Sequence, residues 1–147
     1  RTHLTLNDFV NDGLNFRMSP EVVLYFSPNC FGTADLISFD EKKKLLRIFD
    51  LKTGSGEVKH FDQLYVYASL FCLEYHVKPL GLQFDLRLYQ NDRIKIATNA
   101  DPKYVKLASN ADILEEVNPD EIAHIIDRIK HFDQLINKLR AEESEQW

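Results

Sequence analysis

The sequence predicts a mixed α/β domain: a central mixed sheet with helices on its flanks. Three stretches carry that expectation. Residues 32–53 read as two strands around a charged turn, residues 57–75 have helical spacing, and residues 82–89 alternate as a strand.

Residues 4–16 (LTLNDFVNDGLNF) space Leu6, Phe9, Val10 and Leu14 at near-helical intervals, with Thr5 or Asn7 to cap and Gly13 to weaken the end. Ser19-Pro20 breaks that helix. Residues 21–27 (EVVLYFS) are β-branched and aromatic, as strands are, and Pro28-Asn29 turns the chain into the strand pair.

The pair makes a geometric prediction. With Glu41-Lys42-Lys43-Lys44 as the loop, Asp40 pairs with Leu45 and Asp35 falls opposite Asp50, their Cβ atoms ~4.5–5.5 Å apart. Carboxylates that close repel and destabilise unless a cation sits between them. The two-residue period of a strand then puts Lys52 on the face of Asp50, with Leu51 turned away. Such a cluster can hold a divalent cation beside a lysine. Lys42-Lys43-Lys44 reads most simply as a solvated hairpin tip, with a DNA contact as the alternative.

Thr53-Gly54-Ser55-Gly56 ends the second strand. In the helix at 57–75, Leu64, Ala68, Phe71 and Cys72 form the buried stripe, and His60, Gln63 and Tyr67 share a more polar face. Lys78-Pro79 closes it. In the next strand Leu82, Phe84, Leu86 and Leu88 face the core, while Arg87 points away, either to reach nucleic acid or to pair with Asp85. Asn91-Asp92 turns into a short strand at 93–98. Residues 99–118 read as a polar connector with one helical turn. Asn118, Pro119 and Glu121 open the last helix, 119–141, whose stripe is Ile122, Ile125, Ile126, Ile129, Phe132, Ile136 and Leu139. The expectation is one domain over 1–147, with its core at 4–98.

Composition narrows the function. The 147 residues can bury roughly two-thirds of their unfolded surface around one core. Hydrophobic residues at 44% and charged residues at 28% are ordinary for a globular chain. No apolar run approaches the ~18–20 residues of a membrane span and no signal-peptide pattern is visible, so a cytoplasmic location without a membrane partner is expected. The cysteines, Cys30 and Cys72, lack CxxC spacing; a four-thiolate zinc or iron–sulfur site within the chain is excluded, and buried free thiols are expected. A net charge of −5 argues against a broad basic DNA coat, though not against a small groove. Lys52-Thr53-Gly54 spells a β-lactamase motif, but no SxxK accompanies it, and Gly54-Ser55-Gly56 lacks the rest of a phosphate-binding loop.

In order along the chain stand Gly32-Thr33-Ala34-Asp35, then Ile48-Phe49-Asp50-Leu51-Lys52-Thr53-Gly54, then Gln63-xxx-Tyr67. This set resembles the PD-(D/E)XK nucleases, in the branch that holds the RecB nuclease domain and the phage and CRISPR-associated RecB-like exonucleases. The resemblance covers 32–67 and, with the flanking strands, extends to about residue 98. It implies a restriction-endonuclease-like core and a stand-alone DNA nuclease, of the exonuclease kind, from a bacterium or phage. It implies that Asp35, Asp50 and the backbone carbonyl of Leu51 ligate Mg²⁺ or Mn²⁺, and that Lys52 positions or activates the attacking water. Gln63 and Tyr67 would orient the substrate backbone or the catalytic groups, with His60 and Arg87 as weaker nucleic-acid contacts. The family's additional acidic ligand finds its match in Glu21. The four cysteines of the CRISPR-associated relatives are absent, so no iron–sulfur cluster is expected. Asp50 stands where many members have Glu. The rival expectation is a catalytically silent nucleic-acid-binding or assembly module on the same fold, and under either reading helix 119–141 is expected to cover the sheet, with a homo-oligomer contact as the alternative.

Overall fold

The computed structural model describes residues 2–58 and 60–146. It is a mixed α/β structure with a six-stranded sheet in the order β1-β2-β3-β4-β5-β6. In chain order the elements are α1 (Thr2–Asn15), β1 (Ser19–Ser27), β2 (Cys30–Asp40), β3 (Leu45–Leu51), α2 (Asp62–Tyr75), β4 (Gln83–Gln90), β5 (Arg93–Thr98), β6 (Ala111–Glu116) and α3 (Pro119–Glu145). The first three strands form an antiparallel meander, β4 runs parallel to β3, β5 antiparallel to β4, and β6 parallel to β5. Parallel neighbours need a crossover, and α2 supplies it between β3 and β4.

The hairpin register is the expected one. Asp40 pairs with Leu45 and Leu36 with Phe49. The turn holds because Asp40 Oδ1 accepts the Lys43 N–H at 3.0 Å and Lys44 takes a left-handed φ of 55°. Asn91 and Asp92 also take positive φ, 53° and 62°, as a tight hairpin turn requires. Leu82, Phe84, Leu86 and Leu88 are buried, as expected. Cys30 and Cys72 are free thiols.

Five expectations need correction. Thr5 does not cap α1, which begins earlier; it lies inside the helix, and its hydroxyl accepts the Asp92 N–H at 2.7 Å. The helix expected at 57–75 begins at Asp62, with Lys59 outside the described residues. The Gln90 amide explains the delay. It donates to the carbonyls of Gly54 and Gly56 and accepts the Val58 N–H, each at 2.8 Å, occupying backbone groups that an earlier helix would use. The connector at 99–118 does contain one helical turn, at Pro102–Tyr104, but also an edge strand, β6. The face of β4 that carries Arg87 is not open: Asp85, Arg87 and Tyr89 are all buried under α1 and its flanks. Finally, α3 runs to Glu145, and its stripe packs on the core only as far as Ile129; Phe132 and Leu139 are exposed.

The sheet has a core on each side. One joins Ile37, Leu46, Ile48, Leu86 and Leu88 to α2 and the start of α3. The other joins Leu36, Leu45, Phe49, Tyr89 and Ile96 to Phe9 and Phe16. Further along α3, Asp133 accepts the Ser27 hydroxyl at 2.6 Å and the Asn29 amide at 2.9 Å, tying the helix to the β1–β2 turn. Among the described residues no helix is long and apolar enough to cross a membrane.

Candidate active site

Asp35 sits where β2 changes faces. Ala34 belongs to the core on the α2 side and Leu36 to the core on the α1 side, though neighbours on either side of one residue normally share a face. Their partners follow them: Val22 pairs with Ala34 and Pro20 with Leu36. Glu21, between those partners, has φ 50°, a left-handed value rare outside glycine. The local twist turns the Asp35 side chain across the end of β3, where its Oδ2 accepts the Leu51 N–H at 2.9 Å.

The β2–β3 ladder ends at Leu36–Phe49, and Asp35 and Asp50 are the next residues on the two strands. The two carboxyl groups are in contact, and Asp50 is only 4% exposed. Burial pushes the Asp50 carboxyl up to about 6, and the hydrogen-bonding contact and like charge of Asp35 push the same way, against the opposing pull of Lys52. Lys52 Nζ lies 2.7 Å from Asp50 Oδ2. At that distance the ammonium is the partner of this buried oxygen, a charge-assisted contact that opposes the rise.

From Lys52 the contacts pass to α2. Lys52 Nζ donates to Gln63 Oε1 at 2.7 Å, and Gln63 Nε2 donates to the Tyr67 hydroxyl at 2.7 Å. Gln63 is exposed and Tyr67 buried, not on a polar surface as its spacing suggested. Burial, then the charge of Asp50, raise the Tyr67 phenol above its ordinary range, so it stays protonated. The Tyr67 ring lies against Gly32 of β2: a Cβ at that position would stand 2.7 Å from the ring.

Asp35, Asp50, Lys52, Gln63 and Tyr67 are therefore one connected cluster. The other expected residues are not part of it. Glu21 lines a cavity of about 510 Å³ together with Asp35 and Leu51. It does not complete a third carboxylate: among the described residues no group of three His, Cys, Asp or Glu side chains could hold a metal. His60 lies exposed in the segment before α2, off the helix face it was expected to share. Arg87 is 1% exposed and donates to Asp85 at 2.8 and 3.0 Å, which removes it as a surface nucleic-acid contact. Sequence reasoning gave no role to two supporting residues: Gly32, named only within the motif, and Gln90. A glycine inside a strand run signals close approach by another group, and could have found the first.

The donor set fits a hard divalent cation. Mg²⁺ typically takes one or two carboxylates and fills the remaining positions with water. Asp35 and Asp50 supply the carboxylates, whose mutual repulsion a cation would relieve. A residue's N–H and C=O point to the same edge of a strand. Since the Leu51 N–H faces Asp35, its carbonyl faces that side too. The set is small, and Lys52 already offsets part of its charge.

Comparison of the chain with protein-family models, with curated proteins and with solved structures finds no match.

Proposed function

We propose that this chain is a Mg²⁺- or Mn²⁺-dependent DNA nuclease, of the exonuclease kind, built on a restriction-endonuclease-like core. The observation that carries the reading is the Asp35–Asp50 contact, with the Lys52 ammonium 2.7 Å from a buried Asp50 oxygen. A sheet selected for stability alone gains nothing from two touching carboxylates. The order of elements supports the fold: the motif residues sit on strand, strand and helix, with a further strand on each side.

Asp35, Asp50 and the Leu51 carbonyl would hold the ion, which when bound polarises a phosphoryl oxygen and acidifies a water molecule. Lys52 places a fixed positive charge where negative charge grows as water attacks phosphorus and the P–O bond breaks. Gln63 holds the ammonium from its far side, and Tyr67 fixes the Gln63 amide. Burial of Asp50 keeps bulk water from screening these charges.

Substitution of Asp50 or Lys52 by Ala tests the reading. End-labelled linear DNA should survive in Mg²⁺ or Mn²⁺ while circular dichroism stays unchanged; cleavage persisting in a folded variant would sink it. Closed-circular DNA should resist the parent protein, as the exonuclease reading requires. The rival is a silent nucleic-acid-binding or assembly module, favoured by the Lys52–Asp50 pair, which partly neutralises the site without a metal. A native state that binds Mn²⁺ melts higher as Mn²⁺ is added. A melting temperature indifferent to Mn²⁺ favours the rival.

A further inference from the structure

Near the start of β3, about 16 Å along the strand from Asp50, lies a cavity of about 610 Å³. Six of the chain's 18 lysines and arginines line it: Arg17, Lys42, Lys43, Arg47, Lys103 and Lys106. The carboxylates in its lining are Asp40 and Glu41. In a chain of net charge −5 this concentration does not follow from composition. It arises because the end of α1, the β2–β3 tip and the segment around Tyr104 converge.

The cationic heads are held in place. Lys43 and Lys103 stand over the Tyr104 ring, at 4.5 and 5.1 Å from its centroid, and Arg47 stands over Phe16 at 3.9 Å. Arg47 also donates to the Tyr104 carbonyl at 2.8 Å. The surface lysines have loose acidic partners, with Lys43–Asp40 at 3.8 Å and Lys103–Asp101 at 3.6 Å, whereas Arg47 is buried and committed to Asp85. Arg17 and Lys106 form no ion pair among the described residues. Because cations cover the aromatic faces, these rings are not stacking platforms for bases. The cavity is suited to closely spaced phosphates, read by charge alone.

We propose that this cavity binds the sugar–phosphate backbone of a nucleic-acid strand, without regard to base sequence, at a place separate from the Asp35–Asp50 carboxylates. The choice of nucleic acid over other polyanions rests on the nuclease reading above. The hairpin-tip lysines then belong to a binding site built from three segments.

The test is binding by the full chain in EDTA, which suppresses hydrolysis. Fluorescein-labelled oligo-dT and oligo-dA are titrated, and anisotropy is followed from about 50 to 200 mM salt. The Arg17→Ala/Lys106→Ala double variant should bind both strands about tenfold more weakly, with a salt slope shallower by about 1.4. Lys138→Ala, on exposed α3, should match the parent protein, and equal melting temperatures should show that all folds are intact. Unchanged affinity and slope in the double variant would overturn the proposal, as would a parent chain that binds neither strand. Equal displacement of the probe by polyglutamate at matched charge would overturn the phosphate assignment. Failure of the nuclease reading is read separately, as cleavage that survives Asp50→Ala.

Discussion

The sheet buries charge on both faces, and the two faces treat it in opposite ways. On the α1 side Asp85, fully buried, accepts Arg47 and both donors of Arg87, with Phe16 and Phe49 stacked on the guanidinium groups. Every carboxylate oxygen there has a donor. On the α2 side Asp35 and Asp50 touch, and Lys52, paired with Asp50, offsets only part of that repulsion. The first cluster is compensated and locks the fold. The second stores repulsion that a cation would relieve, and the nuclease reading proposed above rests on this difference.

The contrast can be broken from either side. The largest effect is expected at Asp85→Asn, which leaves two buried guanidinium groups without their counter-charge. Urea unfolding should show a loss of about 3–5 kcal/mol. Asp50→Asn should do the reverse, raising the stability of the metal-free protein at pH 8 by about 1–2 kcal/mol because a repelled, buried charge is removed. A loss of stability there would mean that Asp50 is structural.

The same carboxyl sets a pH dependence. Asp50 titrates near 6 in the fold, against about 3.9 in an unfolded chain. Between those values the folded protein holds a proton that the unfolded chain has released. The contribution is complete below about pH 4 and disappears as pH rises through 6. Urea midpoints of metal-free protein should therefore show this loss between pH 4 and 6, and Asp50→Asn should remove it. The smallest effect is expected at Phe16→Leu, where a ring over Arg47 is lost; about 1 kcal/mol should disappear from the unfolding free energy.

How much of this could be read beforehand follows from what each residue's neighbours are. The β2–β3 register was legible because a charged tip and alternating flanks leave few ways to close a hairpin, so the Asp35–Asp50 approach could be anticipated from residue order. The contact of Gln63 with Lys52 was legible only as a shared location, since the bond depends on how α2 packs. Arg87 was legible as one of two alternatives, the pair with Asp85, but its burial was not: alternation in β4 says which side faces one core, and only α1 and Phe16 make the other side a core as well. Nor was β6, an edge strand exposed along most of its length, which carries no alternating pattern to find. The late start of α2 was hidden because a glutamine far along the chain holds the loop open.

Gly32 has a role that hydrogen in place of a side chain makes possible. Tyr67 rests its ring on bare backbone there, and the lysine's position is set through Tyr67 and Gln63. The thickness of one methyl group thus sets how far the helix stands from the strand. Alanine at 32 would alter no charge and no polar contact directly. It would still act as a shim, lifting the ring and slackening the chain of bonds that holds the ammonium beside Asp50.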